Sequence, residues 1–250
     1  MLDCSDPRML PLLLLLAQEN RIDAWIKEIP GKVVVARVTV ENGAYILPAE
    51  LDERPVLANY FSQYEFRAQF VRTHAVNINV DFPGRPPLHF IVLNMARMAE
   101  AAAGEEEIVA HELGHVWLHA KGLRAPPYTP GMLACEAIHT GDTVQHVLIR
   151  RELVRRGFQP NKGFVQDLEK AWKTMAKGPG QTKPPDDLCL RLQRLSLLID
   201  TELGLAEDEW PDRAKYRAKL TEADPLLDEL VTRLSRLLNR LELDNKIEYY

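Results

Sequence analysis

Residues 105–119, which read EEEIVAHELGHVWLH, constrain the fold of this chain more than any other part of its sequence. Side chains three and four positions apart lie on the same side of an α-helix, so the spacing predicts an amphipathic helix with one apolar flank. That flank consists of Val109, Leu113, Val116, Trp117 and Ala120. Three glutamates follow Gly104, where the positive end of a helix dipole favours anions. We therefore expect a helix that begins near residue 105 and turns His111 and His115 towards a cleft.

Four segments that precede this helix have the composition of β-strands. Residues 33–40 and 44–47 are rich in β-branched and apolar residues on either side of Asn42-Gly43, a strong hairpin signal. Residues 75–82 alternate apolar and polar side chains, and residues 88–93 are almost continuously apolar. A helix is expected over residues 51–73, and most of the chain after residue 95 has helical periodicity. Strands followed by a long helical stretch indicate an α+β fold.

The composition is that of a globular protein with a slightly acidic charge balance. Among 250 residues, 31 Lys and Arg face 36 Asp and Glu, so a net charge of −5 gives no general attraction to nucleic acid or anionic lipid. The longest apolar run, residues 9–17, is about half the ~18–20 residues that span a bilayer, and we expect a core helix there and no membrane contact. Three widely spaced cysteines argue against a disulfide framework. A cytoplasmic protein is the resulting expectation.

The histidines and the glutamate of the central run predict a zinc site. One helical turn separates His111 from His115, so both can offer an imidazole nitrogen to one Zn²⁺ ion. Glu112 lies on the same flank, where its carboxylate can act as the general base towards a water molecule. His119 is one turn further on, and we expect it beside the site, because a fourth protein ligand would close the position that water needs.

A third protein ligand is expected on the helix predicted over residues 132–156. The candidates step by three, three and four positions along one broad side of that helix: Glu136, His139, Asp142 and His146. Glu136 follows His115 by 21 positions, close to the separation in gluzincin-type peptidases, and we predict Glu136 as the ligand. His139, Asp142 and His146 stay open as alternatives, and those that do not bind the metal are expected to orient its ligands. Tyr128, in the loop between the helices, is a candidate donor to an oxyanion or an anchor for the loop.

The run Phe90-Ile-Val-Leu-Asn94, a spacer and the run Ala110-His-Glu-Leu-Gly-His115 together resemble the core of the ImmA/IrrE-type metallopeptidases. The resemblance implies a small zincin-like domain, with a short mixed sheet and an active-site helix. It also implies a zinc ion held by two histidines and a glutamate, and intracellular cleavage of specific proteins such as transcriptional repressors. Carried over to this chain, it makes His111, His115 and Glu136 the zinc ligands and Glu112 the base.

We expect a zincin-like metallopeptidase domain over residues 1–160 and a mostly helical C-terminal region over residues 161–250 that packs on it. The predicted function is a zinc-dependent endopeptidase that acts on a specific intracellular protein, with the substrate added as a strand to residues 88–93 at the sheet edge. The alternative is a non-catalytic zinc-fold protein that binds a partner through the C-terminal helices or the basic residues 149–183. Nucleic acid would then contact Arg150, Arg151, Arg155 and Arg156.

Overall fold

The computed structural model describes residues 20–123, 134–161, 163–166, 168–170, 188–206 and 208–240; at 134–138, 140 and 223 it describes the backbone alone. The helices are α1 Arg21–Lys27, α2 Arg54–Ser62, α3 Tyr64–Phe70, α4 Met95–Met98, α5 Glu105–Ala120, α6 Ala134–Arg155, α7 Leu188–Gly204, α8 Arg213–Ala223 and α9 Pro225–Leu238. The strands are β1 Lys32–Glu41, β2 Ala44–Ile46, β3 Ala75–Val80 and β4 Leu88–Asn94. The fold is α+β, with one small sheet and a mostly helical remainder.

The sheet is mixed, with the strand order β2-β1-β4-β3. Asn42 and Gly43 have φ angles of 49° and 78°, so both residues take the left-handed conformation that a two-residue hairpin requires. The β1–β2 hairpin predicted from the sequence is therefore confirmed. Strand β3 is antiparallel to β4, and β1 is parallel to β4.

The prediction that residues 88–93 form an edge strand is wrong. Strand β4 lies between β1 and β3, and all seven of its residues are buried. A strand buried on both faces is expected to be continuously apolar, which is the pattern of this segment. The edge strand beside α5 is β3.

Helices cover both faces of the sheet. Ile91 and Leu93 point towards α5, where they join a core with Leu113 and Val116. Phe90 points the other way, into a second core that α2 and α3 complete. A third core lies in the C-terminal region, and its buried members include Ile199 of α7, Tyr216 of α8 and Val231 of α9.

One helix was expected over residues 51–73, but the structure has two. Gln63 has an extended backbone, with φ −82° and ψ 131°, which ends α2 and begins α3. The Arg67 guanidinium donates hydrogen bonds to the carbonyls of Phe61 and Ser62, at 2.7 and 2.8 Å. It thereby satisfies carbonyl groups that a continuous helix would have bonded internally.

Helices α6 and α7 pack side by side and run parallel. His146 contacts Asp200, and a Cβ atom built on Gly204 would meet the Arg150 side chain; both pairs are 54 positions apart. The sequence argued against a disulfide framework, yet Cys189 of α7 is disulfide-bonded. Spacing along the chain could not reveal this, because the packing of distant segments decides which cysteines meet. The side chains of Cys4 and Cys135 lie outside the described residues.

Two expectations fall on parts of the chain that the structure does not describe: the helix over residues 9–17 and the role of Tyr128. No helix within the described ranges is long and apolar enough to cross a membrane.

Candidate metal centre

Three imidazole rings meet between helices α5 and α6. The ring centroids of His111 and His146 are 5.1 Å apart, those of His111 and His115 are also 5.1 Å apart, and those of His115 and His146 are 5.4 Å apart. One nitrogen from each ring lies within 4.8 Å of the other two. Within the described residues, no other set of three His, Cys, Asp or Glu side chains is so placed.

A glycine in the central run lets the two helices approach closely. A Cβ atom at Gly114 would lie 2.6 Å from Cγ2 of Ile149, far inside van der Waals contact. Ile149 is buried in the same core as Leu113, three positions after His146. This contact sets how far along α6 the helices cross, and so it brings His146, one turn earlier, opposite His111 and His115.

Two of the rings are oriented by neighbours at Nδ1. His115 Nδ1 lies 2.7 Å from Oε1 of Gln145, a buried amide oxygen that can only accept, so we assign the proton to Nδ1 and leave Nε2 free. His146 Nδ1 lies 3.4 Å from Oδ2 of Asp200, a buried carboxylate from α7. Outer partners of this kind fix the ring orientation of metal-binding histidines.

Burial and charge act differently on the three rings. Burial holds the pKa of His111 well below its usual value, and the neighbouring His115 and His146 lower it further. Burial also acts to lower the pKa of His146, but the hydrogen bond and the negative charge of Asp200 outweigh it, and the pKa is raised. His146 is therefore the ring that Asp200 makes more basic, while His111 is kept neutral and ready to bind a cation.

A cavity of about 480 Å³ opens beside His111 and His146, within the range of small-ligand sites. Glu112 lines it, and its Oε2 accepts a hydrogen bond of 2.9 Å from Nδ2 of Asn77 on β3. Residues from the sheet edge and from the helices complete the wall, among them His74, Ala75, Arg150 and Asp200. The cavity therefore runs from the edge strand to the C-terminal helices.

The structure groups His111 and His115 with His146, one of the four candidates that the sequence left open on this helix, and Glu112 lines the adjoining cavity. The side chain of Glu136 lies outside the described residues, so its part in a metal site stays a prediction. His139 and Asp142 are in α6 but do not belong to the group of three rings. His119 lies near Asp81, with Nε2 3.4 Å from Oδ2, and away from that group.

Sequence reasoning missed three groups that hold the site: Asn77, Gln145 and Asp200. Each acts through a contact between segments distant along the chain, and no local spacing indicates it. A local signal was present only for Asn77, because a partly buried asparagine on a strand that alternates with apolar residues requires a polar partner.

In comparisons with known proteins, no family model matches this chain, and no curated protein or solved structure shows significant similarity to it. The resemblance to the ImmA/IrrE-type metallopeptidases thus rests on the motif residues and stays a prediction.

Proposed function

We propose that this protein is a zinc-dependent peptidase with a zincin-like arrangement of sheet and active-site helix. The observation that carries the proposal is the triangle of His111, His115 and His146, two of which, His111 and His146, line a cavity together with Glu112. Metal ligands and a carboxylate base at one cavity are the parts that metal-assisted hydrolysis requires.

The residues fit a catalytic zinc ion. Three imidazole nitrogens leave the fourth tetrahedral position for water, as in known catalytic sites. The Nδ1 atoms of His115 and His146 face Gln145 and Asp200, so their Nε2 atoms are the ones free to bind a metal. We propose His146 as the third ligand in place of Glu136. Ten residues separate these two positions on α6, a rise of about 15 Å along the helix, so one ion cannot be shared by both.

Zinc, when bound, supplies a Lewis acid that polarises the scissile carbonyl and lowers the pKa of water. The chain itself supplies the proton transfers. Glu112 accepts a proton from the attacking water and passes it to the nitrogen of the leaving amine. Asn77 holds Glu112 Oε2, which leaves Oε1 as the oxygen for this transfer. Gln145 and Asp200 hold the imidazole rings of His115 and His146 in a fixed orientation during the reaction.

An extended protein segment is the proposed substrate. Strand β3 is an edge strand, and Ala75 at its start lines the cavity with Glu112. Unpaired backbone groups of an edge strand bind a peptide in extended form, which leaves sequence preference to pockets along the strand. In keeping with the motif resemblance, we propose an intracellular regulator, such as a repressor, as the natural substrate.

One part of the non-catalytic alternative, nucleic-acid contact through the arginines at the end of α6, has partners within the chain to compete with. The side chains of Arg150 and Arg156 are each only 12% exposed and face acidic partners, Asp200 for the former and Glu28 and Glu152 for the latter. Arg155 also pairs with Glu152, and Arg151 donates a hydrogen bond to Asn239. Arg150, Arg151 and Arg156 thus join different segments of the chain and Arg155 pairs within α6, so we do not propose nucleic acid as a partner.

The test measures zinc content and proteolysis of the full chain. We expect one zinc ion per chain by metal analysis and cleavage of fluorescently labelled, unfolded casein. The Glu112→Gln variant is expected to keep the zinc ion and to lose cleavage by about 100-fold or more, as expected for a general base. Zinc-free protein after purification with added metal, or equal cleavage by wild type and Glu112→Gln, would disprove the proposal.

A further inference from the structure

A buried histidine on β4 takes no part in the chemistry proposed above. His89 is fully buried, on the face of the sheet that α5 covers, in a strand that is otherwise almost entirely apolar. Its Nδ1 lies 2.7 Å from Oδ1 of Asn79, and its Nε2 lies 3.2 Å from the carbonyl oxygen of Pro30. A polar ring in such a place requires an explanation beyond packing.

His89 begins a row of polar groups that ends at Glu112. Asn79 is paired with His89 across the β3–β4 ladder, and Asn77 is two positions earlier on the same face of β3. Asn79 Nδ2 lies 3.3 Å from Asn77 Oδ1, and Asn77 Nδ2 lies 2.9 Å from Glu112 Oε2. We call Asn77, Asn79 and His89 the amide row.

The carboxylate at one end fixes the direction of every hydrogen bond in the row. An ionised carboxylate only accepts, so Asn77 must turn its NH₂ group towards Glu112 and its oxygen towards Asn79. Asn79 must then turn its NH₂ group towards Asn77 and its oxygen towards His89. His89 can meet that oxygen only with a proton on Nδ1.

A second acceptor competes for the same proton. The Pro30 carbonyl faces Nε2 and would accept a hydrogen bond if the proton were there instead. Burial lowers the pKa of His89, so above neutral pH the ring holds a single proton. Asn79 and the Pro30 carbonyl thus favour opposite tautomers of His89. The position of the His89 proton therefore reports whether the hydrogen bonds between Glu112 and Asn79 are intact.

We propose that His89, Asn79 and Asn77 are positioning residues for Glu112, which hold Oε2 through a directional chain of hydrogen bonds and leave Oε1 to face the cavity. This inference rests on the proposed function. Three groups that each fix the next can hold a carboxylate at a set rotation, and proton transfer depends on such placement. The row uses neutral amides, so it orients the carboxylate without placing a cation beside it.

Nitrogen NMR of the full chain with ¹⁵N-labelled histidine tests the row at pH 8. The His89 ring is assigned by the signals that disappear in His89→Gln. We expect wild-type His89 to carry its proton on Nδ1. Asn77→Leu removes the hydrogen bonds of Asn77 to Glu112 and Asn79, so the Asn79 amide can rotate. We then expect the His89 proton to move to Nε2. The control Ile78→Val changes a residue between the asparagines that faces the opposite core, and it should leave the tautomer unchanged.

Kinetics of casein cleavage provide the second readout. We expect Asn77→Leu to lower kcat by about 10- to 100-fold, with KM and zinc content unchanged, as for loss of a supporting partner. Asn77→Gln, which keeps an amide donor, should recover part of kcat. A wild-type ring protonated only at Nε2, or an unchanged kcat in Asn77→Leu, would overturn the positioning role alone. Absence of cleavage by the zinc-loaded wild type would instead overturn the proposed function, and this role with it.

Discussion

The two sides of the metal centre hold their groups by different means. On the sheet side, Glu112 is held by a neutral amide, Asn77, with a second amide behind it. On the side of the C-terminal helices, His146 is held by a carboxylate, Asp200, which lies 3.7 Å from the Arg150 guanidinium. Neutral amides therefore lie beside Glu112 and beside His115, whose partner is Gln145, whereas charged groups lie beside His146.

This difference follows from what each group must do. A base must keep its negative charge available, and a cation in contact with Glu112 would lower its affinity for protons. A ligand must give electron density to a metal, and a carboxylate at the far nitrogen increases the basicity of an imidazole. If the C-terminal side contributes as much as this comparison requires, the largest losses of zinc affinity should come from changes at His146 and Asp200.

The largest effect is expected from His146→Ala. Loss of a direct ligand should weaken zinc binding by more than the ~100-fold upper range for outer partners, as measured by competition with a chromogenic chelator. Glu136→Ala and His139→Ala are the matched controls from the same helix, and both should bind zinc like the wild type. Loss of zinc in Glu136→Ala, with retention in His146→Ala, would restore the ligand predicted from the sequence.

Asp200→Asn should have the next largest effect, because it keeps the shape of the side chain and removes its charge. We expect zinc affinity to fall by about 10- to 100-fold. Gln145→Met removes the neutral partner of His115 and should cost less than Asp200→Asn. Equal losses in the two variants would show that charge gives the C-terminal side no special part.

A smaller effect is expected at the junction between α6 and the end of α1. Glu152 of α6 binds Arg155 and Arg156, and Arg156 also binds Glu28 after α1. Glu152→Gln should lower the free energy of unfolding by about 1–3 kcal/mol in urea titrations, because it weakens charged hydrogen bonds at a buried position. Glu229→Gln breaks an exposed pair with Arg233 and should change it by under ~0.5 kcal/mol.

The same junction should make stability depend on pH. Burial acts to raise the pKa of Glu152, but Arg155 and Arg156 outweigh it, so the pKa in the folded protein is below the ordinary 4.5. Its contribution is therefore complete above pH 4.5 and is lost as the pH falls through the lower folded value. The difference in free energy of unfolding between the wild type and Glu152→Gln should therefore become smaller as the pH falls through that range. A difference that became larger in acid would contradict this prediction.

The smallest effect concerns protons released when zinc binds. The pKa of His146 is raised, so below that pKa the metal must displace a proton from this ring, and zinc affinity should rise as the pH increases through it. Asp200→Asn should lower that pKa and release fewer protons per zinc ion. Calorimetry in two buffers of different ionisation enthalpy gives the number of protons released per zinc ion. Equal release by the wild type and Asp200→Asn would show that Asp200 does not act on His146.

Local features were predictable, and long-range pairings were not. The Asn42-Gly43 turn and the helix from Glu105 depend on neighbouring residues alone, and the structure has both. The place of β4 inside the sheet depends on its parallel pairing with β1, which lies more than 40 residues earlier. No property of the short apolar run distinguishes an edge strand from a central one until that partner is known.

The third imidazole shows the same limit within the site. Spacing on α6 identified one side of the helix and four candidates on it, but it could not tell where along its axis α5 crosses. The contact between Gly114 and Ile149 decides that point, and it favours His146. The role of Asp200 could not be predicted for a similar reason, because only the parallel packing of α6 and α7 brings it near His146.

The contact between His146 and Asp200 also determines at what stage of synthesis the candidate metal centre can be complete. Asp200 is 54 residues downstream of His146, so a ribosome must release that further length of chain before the ring meets its carboxylate. A nascent chain would therefore carry the motif helix long before all the side chains of the candidate centre are in place.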